Sequence, residues 1–192
     1  GVEPQDWNGS NVNQTVFNQN AHSDALVTRQ GNAENFYVRL VCTKVGALGI
    51  TAEAPAFINF GTPWVYAVSN KSKCDGGVYG GMSFSYKPDA IKVKYKKTNS
   101  GETSHIIAYL WSGEFVSKVP TSYDKEGNKY TYGRELSNVD RVVLGRQTDN
   151  VTKKGTLIAS VDYSIAAETT DWKDEVIELK YQDGVDKTTK VE

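Results

Sequence analysis

Histidine, cysteine and methionine are scarce in this chain of 192 residues, which holds two His, two Cys and one Met. A Ser-His-Asp or Cys-His nucleophile needs a histidine, and His22 and His105 are the two present. Structural and catalytic zinc sites draw several Cys and His ligands at short spacings, whereas these four residues stand far apart in the sequence. The sequence therefore favours a noncatalytic protein without zinc.

An excess of one charge and a long apolar run are also missing. The 22 basic and 23 acidic residues leave a formal net charge of -1, so no overall positive field attracts nucleic acid or an anionic membrane surface. No run approaches the ~20 apolar residues with which a helix spans a bilayer. We therefore expect no nucleic-acid partner and no transmembrane segment.

The two cysteines and the acidic turns leave two structural alternatives open. A disulfide needs its two Cα atoms within about 7 Å of each other, so Cys42 and Cys74 are either bridged or free. The turns at 74–77 and 182–186 offer isolated loop oxygens of the kind that calcium binds. Neither turn has the regular acidic spacing of a calcium-binding loop. We predict ordinary turns and no cofactor, with structural calcium as the weaker alternative.

Aromatic residues, glycine and alternating patterns are abundant instead. The 11 Tyr, four Trp and 17 Gly favour strands and turns over helices. Residues 76–98 read GGVYGGMSFSYKPDAIKVKYKKT, and the alternation of MSFSY predicts a half-buried strand with Met82, Phe84 and Tyr86 on one face. After a Pro-Asp corner, AIKVKY predicts a second strand whose lysines share the wet face, opposite Ile91, Val93 and Tyr95.

Further strand-like runs are separated by turn signals along most of the chain. The run IIAYLW is apolar on both faces and predicts a central strand covered on each side. In TLIASVDYSI every second residue belongs to one uninterrupted row, which predicts a side that faces the core. The row consists of Leu157, Ala159, Val161, Tyr163 and Ile165. We predict an all-β fold, an antiparallel jelly-roll β-sandwich, with residues 1–20 as a loosely ordered entry segment and 21–192 as a single β-sandwich domain. The remaining runs lie at 25–29, 34–44, 56–61, 64–69, 141–146 and 175–181, and residues 117–133 form a polar loop or protruding hairpin.

The order and spacing of several motifs resemble a known family, the PCMD domain of Bacteroidetes surface proteins, a carbohydrate-metabolism-type domain. The motifs, in chain order, are DWN (6–8), FYVRL (36–40), FINFGTPWVYAV (57–68), GGVYGGMSF (76–84), KPDAIKVKYKKT (87–98), SHIIAYLW (104–111), GTLIASVDYSI (155–165) and a Trp172 that precedes EVIELKY (175–181). The resemblance implies a jelly-roll sandwich similar to carbohydrate-binding modules. It also implies an exported protein, periplasmic, anchored to the outer membrane or extracellular, with a sugar-binding role and no catalysis.

The C-terminal end departs from that family. Its members continue past the position of EVIELKY into further strands, and the tail QDGVDKTTKVE offers none. The resemblance thus implies a sandwich that lacks its last strands in this chain, either because the chain is truncated or processed or because a second polypeptide supplies them. An open sheet edge would favour association with a partner chain or with itself.

Sugar binding requires a flat aromatic ring against the apolar face of a pyranose and polar groups for its hydroxyls. Trp64 and Tyr66 lie two apart on one predicted strand face, and Tyr109 and Trp111 do the same on another. Trp7 stands in the polar segment DWNGSN. These five residues are the candidate ligand-binding set, with burial in the core as the competing interpretation for each pair.

Three functions follow from these patterns. The first is a noncatalytic, exported carbohydrate-binding or glycan-utilisation module, and the second is an adhesion or assembly module that works through protein contacts. The third is a glycoside hydrolase, which needs two carboxylates facing one cleft. Glu175 with a distant partner such as Asp162 is the pair that the sequence offers for it.

Overall fold

The computed structural model of the chain describes residues 3–16, 19–23, 25–47, 50–66, 75–79, 81–99, 101–113, 120–123, 130–132 and 155–187. All regular secondary structure in these ranges is β, and every pairing is antiparallel. The strands are Asn8–Gly9 (β1), Val12–Val16 (β2), Gln19–Ser23 (β3), Val27–Gly31 (β4), Phe36–Leu40 (β5), Thr43–Ala47 (β6), Ile50–Ala54 (β7), Ile58–Asn59 (β8), Thr62–Tyr66 (β9), Asp75–Tyr79 (β10), Ala90–Tyr95 (β11), Ser104–Gly113 (β12), Pro120–Tyr123 (β13), Tyr130–Tyr132 (β14), Gly155–Ile165 (β15), Lys173–Glu178 (β16) and Lys180–Tyr181 (β17).

The prediction of an all-β, antiparallel fold is confirmed. The jelly-roll connectivity stays a prediction, because the run at 141–146 and most of the excursion at 117–133 lie outside the described residues. Within the described ranges, no helix is long and apolar enough to cross a membrane.

The chain divides into two compact units. The first unit comprises Gly1–Met82 with Ser117–Glu135, and the second comprises Ser83–Val116 with Leu136–Glu192. Two strands, β1 and β2, lie within residues 1–20, the segment that we expected to be loosely ordered. The assignment of 21–192 to one domain stays a prediction.

The first unit consists of two-stranded antiparallel pairs, β1 with β8, β2 with β3, β4 with β5, β6 with β7, β9 with β10 and β13 with β14. Its fully buried side chains, Leu26 and Val27, lie at the start of β4. The predicted strand over 34–44 is two strands, β5 and β6, with Val41 and Cys42 between them. The turn of the β4–β5 hairpin explains where β5 begins, because the Asn32 side chain accepts hydrogen bonds from the backbone N–H groups of Glu34 and Asn35.

The second unit contains two sheets, β11 with β16 and β12–β15–β17. Their facing sides form a core in which Ala159, Val161, Ile177 and Leu179 are buried. The lysine alternation of β11 is confirmed, since Ile91 and Val93 pack against this core while Lys92 and Lys94 are exposed. The predicted inward row of β15 is also confirmed for Ala159, Val161 and Ile165, which are buried, and for Tyr163, which packs against the core. Leu157, the remaining member, lies beyond a register shift and opposite Trp111.

Two strand predictions are wrong. Residues 81–88 form no strand, and Met82, Phe84 and Tyr86 are exposed. An alternating segment becomes a half-buried strand when another strand pairs with it, and no pairing joins 81–88 to the rest of the described chain. The run IIAYLW is not covered on both sides either, because β15 is the one strand paired with β12 in the described ranges and Ile107 is exposed.

Lys97, a buried residue just after β11, joins two loops of the second unit. Its backbone N–H donates to Thr169 Oγ1 at 3.0 Å, and its carbonyl accepts from the Thr169 N–H at 2.9 Å. Its ammonium donates to the Glu102 carbonyl and to Ser104 Oγ at 3.1 Å. The side chain therefore holds the loop before β12 against the end of β11.

We expect Lys97→Met to lower the free energy of unfolding by about 1.5 to 3 kcal/mol, because a buried, charged donor is lost while the apolar stem is kept. Urea unfolding followed by tryptophan fluorescence measures the loss. The neighbouring Lys96→Met is the control, since Lys96 is exposed and should change stability by less than about 0.5 kcal/mol. Equal losses in the two variants would contradict this role of Lys97.

Candidate functional site

The five predicted site residues fall into two groups. Trp7, Trp64 and Tyr66 belong to the first unit, and Tyr109 and Trp111 belong to the second. The backbone of Trp64 and Tyr66 lies in β9, paired with β10, while their side chains are outside the described residues. The common face predicted for that pair therefore stays a prediction.

Trp7 packs against Phe60, with ring centroids 4.0 Å apart and an interplanar angle of 36°. The pairing of β1 with β8 brings the two rings together, since Asn8 lies opposite Asn59. The Asn8 amide donates to the Gly61 carbonyl at 2.8 Å and fixes the chain next to Phe60. Trp7 is thus half-buried, with one side covered by a ring that is itself 41% exposed.

Tyr109 lies on the side of the β12–β15–β17 sheet that faces away from the core. Ile106, Ala108 and Leu110 pack against the core, so the alternating residues point outward. Cross-strand partners share a face, which adds residues from β15 and β17. We call the resulting surface the tyrosine face, and it consists of His105, Ile107, Tyr109, Ser160, Asp162, Ser164 and Lys180.

Trp111 lies beyond an irregularity in the same pairing. The register shifts between Leu110 and Trp111, so that Tyr109 is opposite Ser160 while Trp111 is opposite Leu157. The extra residue, Ile158, lies on β15, so the alternation of β12 itself continues from Tyr109 to Trp111. Trp111 is half-buried on β12, beyond the bulge of β15, and the polar residues of the tyrosine face all lie before that bulge.

A short polar contact orders the tyrosine face. His105 Nδ1 lies 2.7 Å from Asp162 Oδ1, and Ser164 Oγ lies 3.4 Å from the same nitrogen. Burial, and secondly the charge of Asp162, raise the pKa of the Tyr109 hydroxyl. The hydroxyl therefore stays protonated at neutral pH and can both donate and accept hydrogen bonds.

This arrangement does not form a nucleophilic triad. In a triad the serine contacts the ring nitrogen that the carboxylate leaves free, whereas Ser164 and Asp162 both approach Nδ1 of His105. Among the described residues, no three His, Cys, Asp or Glu side chains are grouped in a way that could hold a metal ion. The groups on this surface can donate and accept hydrogen bonds and include an aromatic ring.

The carboxylate pair considered for a glycoside hydrolase is separated by the sheet. Glu175 is half-buried and hydrogen-bonds to Tyr163, a residue of the inward row. Asp162 immediately precedes Tyr163 and points to the opposite face, where it contacts His105. The two carboxylates cannot line one cleft, so the suggested pairing of Glu175 with Asp162 is wrong.

Tyr163 lies in a cluster with Tyr95 and Glu175 that makes the second unit sensitive to alkali. A side-chain hydrogen bond to Tyr95, followed by burial and a hydrogen bond to Glu175, raises the pKa of Tyr163 to about 12. The unfolded tyrosine loses its proton near pH 10. The folded state therefore keeps its full advantage below about pH 10 and loses it as the pH rises toward 12.

We accordingly expect stability to fall between about pH 10 and 12, and Tyr163→Phe to reduce that fall. Burial also raises the pKa values of Tyr109 and Tyr181, so part of the dependence should remain in the variant. Urea midpoints measured across this range test the expectation, with absorbance at 295 nm as the record of tyrosine ionisation. An identical pH dependence in the variant and the parent protein would contradict it.

The predictions on thiols and calcium have partial outcomes. Cys42 is a free, exposed thiol, and Cys74 lies outside the described residues. The 182–186 turn is closed by a backbone hydrogen bond from Val185 to Gln182. The Lys87 ammonium donates to the Asp186 carbonyl of this turn. The expectation of a turn at 74–77 is wrong for residues 75–77, which belong to β10.

Sequence reasoning missed Lys180 and the contact of His105 with Asp162. The histidine and the aspartate are separated by 57 positions, and Lys180 reaches the tyrosine face because it lies opposite Ser160. No local pattern contains this information, since it depends on the register of β12, β15 and β17. Alternation could have placed Asp162 and Ser164 on one face, and it did not indicate which strand lies beside them.

Comparison with known proteins adds no family: no family model, no curated protein and no solved structure matches this chain. The resemblance to the PCMD domain therefore stays a prediction based on motif order.

Proposed function

We propose that this protein is a noncatalytic carbohydrate-binding module and that the tyrosine face holds the sugar. The observation that carries the proposal is the position of Tyr109 beside Asp162, whose carboxylate is held by His105 at 2.7 Å. An aromatic ring next to an oriented carboxylate is the combination that a pyranose requires, because its C–H face packs on the ring while its hydroxyls donate to the oxygens.

The other groups of the surface fit the same ligand. Serine hydroxyls at 160 and 164 both donate and accept hydrogen bonds, and Lys180 donates. Asp162 is held by His105 before any ligand arrives, so binding costs less conformational entropy than ordering a mobile carboxylate would. Export to the periplasm, outer membrane or exterior, expected from the PCMD resemblance, belongs to this proposal.

Affinity electrophoresis through gels that contain neutral polysaccharides, followed by calorimetry on the retained one, tests the proposal. We expect Asp162→Asn to bind at least tenfold more weakly, since a hydrogen bond to a charged group contributes about 1.5 to 3 kcal/mol, and Tyr109→Ala to lose retention. Glu178→Gln removes an exposed carboxylate from the other sheet and should bind as the parent protein does. No retention on any of the polysaccharides, or equal losses in Asp162→Asn and Glu178→Gln, would overturn the proposal.

A second candidate, an assembly module that acts through protein contacts, is favoured by residues 81–88. This segment carries exposed Met82, Phe84 and Tyr86, and no strand of the described chain pairs with it. Phe84 and Tyr86 already share a face, with ring centroids 5.9 Å apart, as they would in a strand added to a partner sheet. Light scattering after size exclusion should then show association that Phe84→Ser weakens, and a monomer at every concentration would exclude self-association.

A further inference from the structure

A column of lysines follows the outer side of the other sheet. Lys92 and Lys94 lie on the face of β11 that points away from the core, and Lys96 continues the alternation just beyond the strand. Successive members of such a column are about 6.6 to 6.8 Å apart. All three side chains are exposed.

Apolar side chains lie beside two of these lysines. Val176 is opposite Lys92 and is 63% exposed. Trp172 directly precedes β16, whose first residue, Lys173, is opposite Tyr95. If the antiparallel register is continued by one residue, Trp172 lies beside Lys96. Trp172 is 42% exposed. The Trp172 ring thus offers a flat apolar surface next to an ammonium group.

Carboxylates do not lie opposite every lysine of this column. Asp174 lies opposite Lys94, with 3.9 Å between its Oδ2 and the ammonium and both side chains 61% exposed, a geometry that contributes little. Glu178 lies at the far end, opposite Ala90. Lys92 and Lys96 face Val176 and Trp172 instead of a carboxylate. Lys92 and Lys96 are therefore the members of the column whose cross-strand neighbour is apolar.

We propose that Lys96, Trp172 and Lys92 form a second binding surface, distinct from the tyrosine face, whose ligand is an acidic polysaccharide. The C–H face of a uronic acid packs on the Trp172 ring, and its carboxylate pairs with Lys96. A further carboxylate of the same polymer reaches Lys92, two lysine spacings along the column. We choose a glycan over a nucleic-acid duplex because exposed Trp172 and Val176 lie among the lysines. Apolar side chains suit the C–H faces of sugars, whereas contacts to a duplex backbone come from charged and polar groups.

The test compares polygalacturonate with its fully methyl-esterified form, which has the same backbone without the charge, and adds alginate and hyaluronan as further acidic polymers. We expect at least one acidic polymer to be retained in affinity electrophoresis. Lys96→Gln and Trp172→Ala should each weaken that binding about tenfold, and added salt should weaken it in the parent protein. Lys44→Gln, which removes an exposed lysine from β6 of the first unit, is the matched control and should bind normally.

Each outcome separates this surface from the tyrosine face. Retention of an acidic polymer that survives Tyr109→Ala and fails in Lys96→Gln supports the lysine surface, whether or not neutral polysaccharides bind. Equal retention of polygalacturonate and its ester, equal losses in Lys96→Gln and Lys44→Gln, or tighter binding to a DNA duplex than to every acidic polysaccharide would overturn it. If none of the acidic polymers binds while a neutral one binds through Tyr109, this inference fails and the proposed function stands.

Discussion

Replacing Gly31 with alanine should lower the free energy of unfolding of the first unit by about 2 to 4 kcal/mol. Gly31 ends β4 with a φ of +92°, a backbone conformation that side chains with a Cβ rarely adopt. A Cβ placed there would lie 2.1 Å from the carbonyl oxygen of Asn35. That oxygen also accepts the Asn32 N–H at 3.1 Å, so it cannot move away without opening the turn of the hairpin.

Gly184→Ala separates the two contributions. Gly184 has a φ of +77°, and a Cβ there meets nothing within 4 Å, so the variant measures backbone strain without the clash. We expect it to lose about 1 to 2 kcal/mol. Urea unfolding gives both losses, and hydrogen exchange at the amides of β4 and β5 shows whether Gly31→Ala opens the hairpin. Equal losses in the two variants would mean that the hairpin turn adapts to the Cβ, contrary to our expectation.

The elements that could be predicted from sequence are those whose burial is visible in the alternation itself. In β15 the inward row Ala159, Val161 and Ile165 is buried as predicted, and in β11 Ile91 and Val93 face the core. The alternation of apolar and polar residues can be read from one segment alone, because successive side chains of a strand point to opposite faces. Where a facing sheet exists, this information suffices to orient the strand.

Residues 81–88 show what alternation leaves undecided. The pattern of Met82, Phe84 and Tyr86 is as regular as that of β11, yet these three side chains are exposed and no strand of the described chain forms a sheet with their segment. Pairing is a property of two segments, and the sequence of one does not specify its neighbour. The same limit applies to the tyrosine face: Tyr109 could be proposed from its own strand, whereas its partner Asp162 follows from the register of β12 with β15.

The second large effect concerns the backbone N–H and C=O groups of Val27, whose hydrogen-bond partner is the side chain of Asn11. Val27 is fully buried, and the Val41 N–H donates to the Leu26 carbonyl at 3.0 Å. Since bonded and non-bonded pairs alternate along an antiparallel ladder, the adjacent pair of Val27 with Leu40 is non-bonded, and the N–H and C=O groups of Val27 point away from β5. Asn11 satisfies both, accepting the Val27 N–H and donating to its carbonyl at 2.9 Å each.

Asn11→Ala should therefore lower the free energy of unfolding by about 2 to 4 kcal/mol, because two buried backbone groups lose their partners together. Asn8→Ala is the control within the same unit, since Asn8 is exposed and its side chain donates a single hydrogen bond, to the Gly61 carbonyl. We expect it to lose about 1 kcal/mol. Urea unfolding of the three proteins under identical conditions measures the difference.

Asn11→Asp decides whether both hydrogen bonds matter. The carboxylate keeps the acceptor for the Val27 N–H and replaces the donor with an oxygen that faces the Val27 carbonyl. If the paired arrangement stabilises β4, this nearly isosteric change should cost at least as much as Asn11→Ala, and lowering the pH toward the pKa of the new carboxyl, about 4, should recover part of the loss because a protonated carboxyl can donate. Full stability of Asn11→Asp at neutral pH would mean that the N–H contact alone holds Val27 in place.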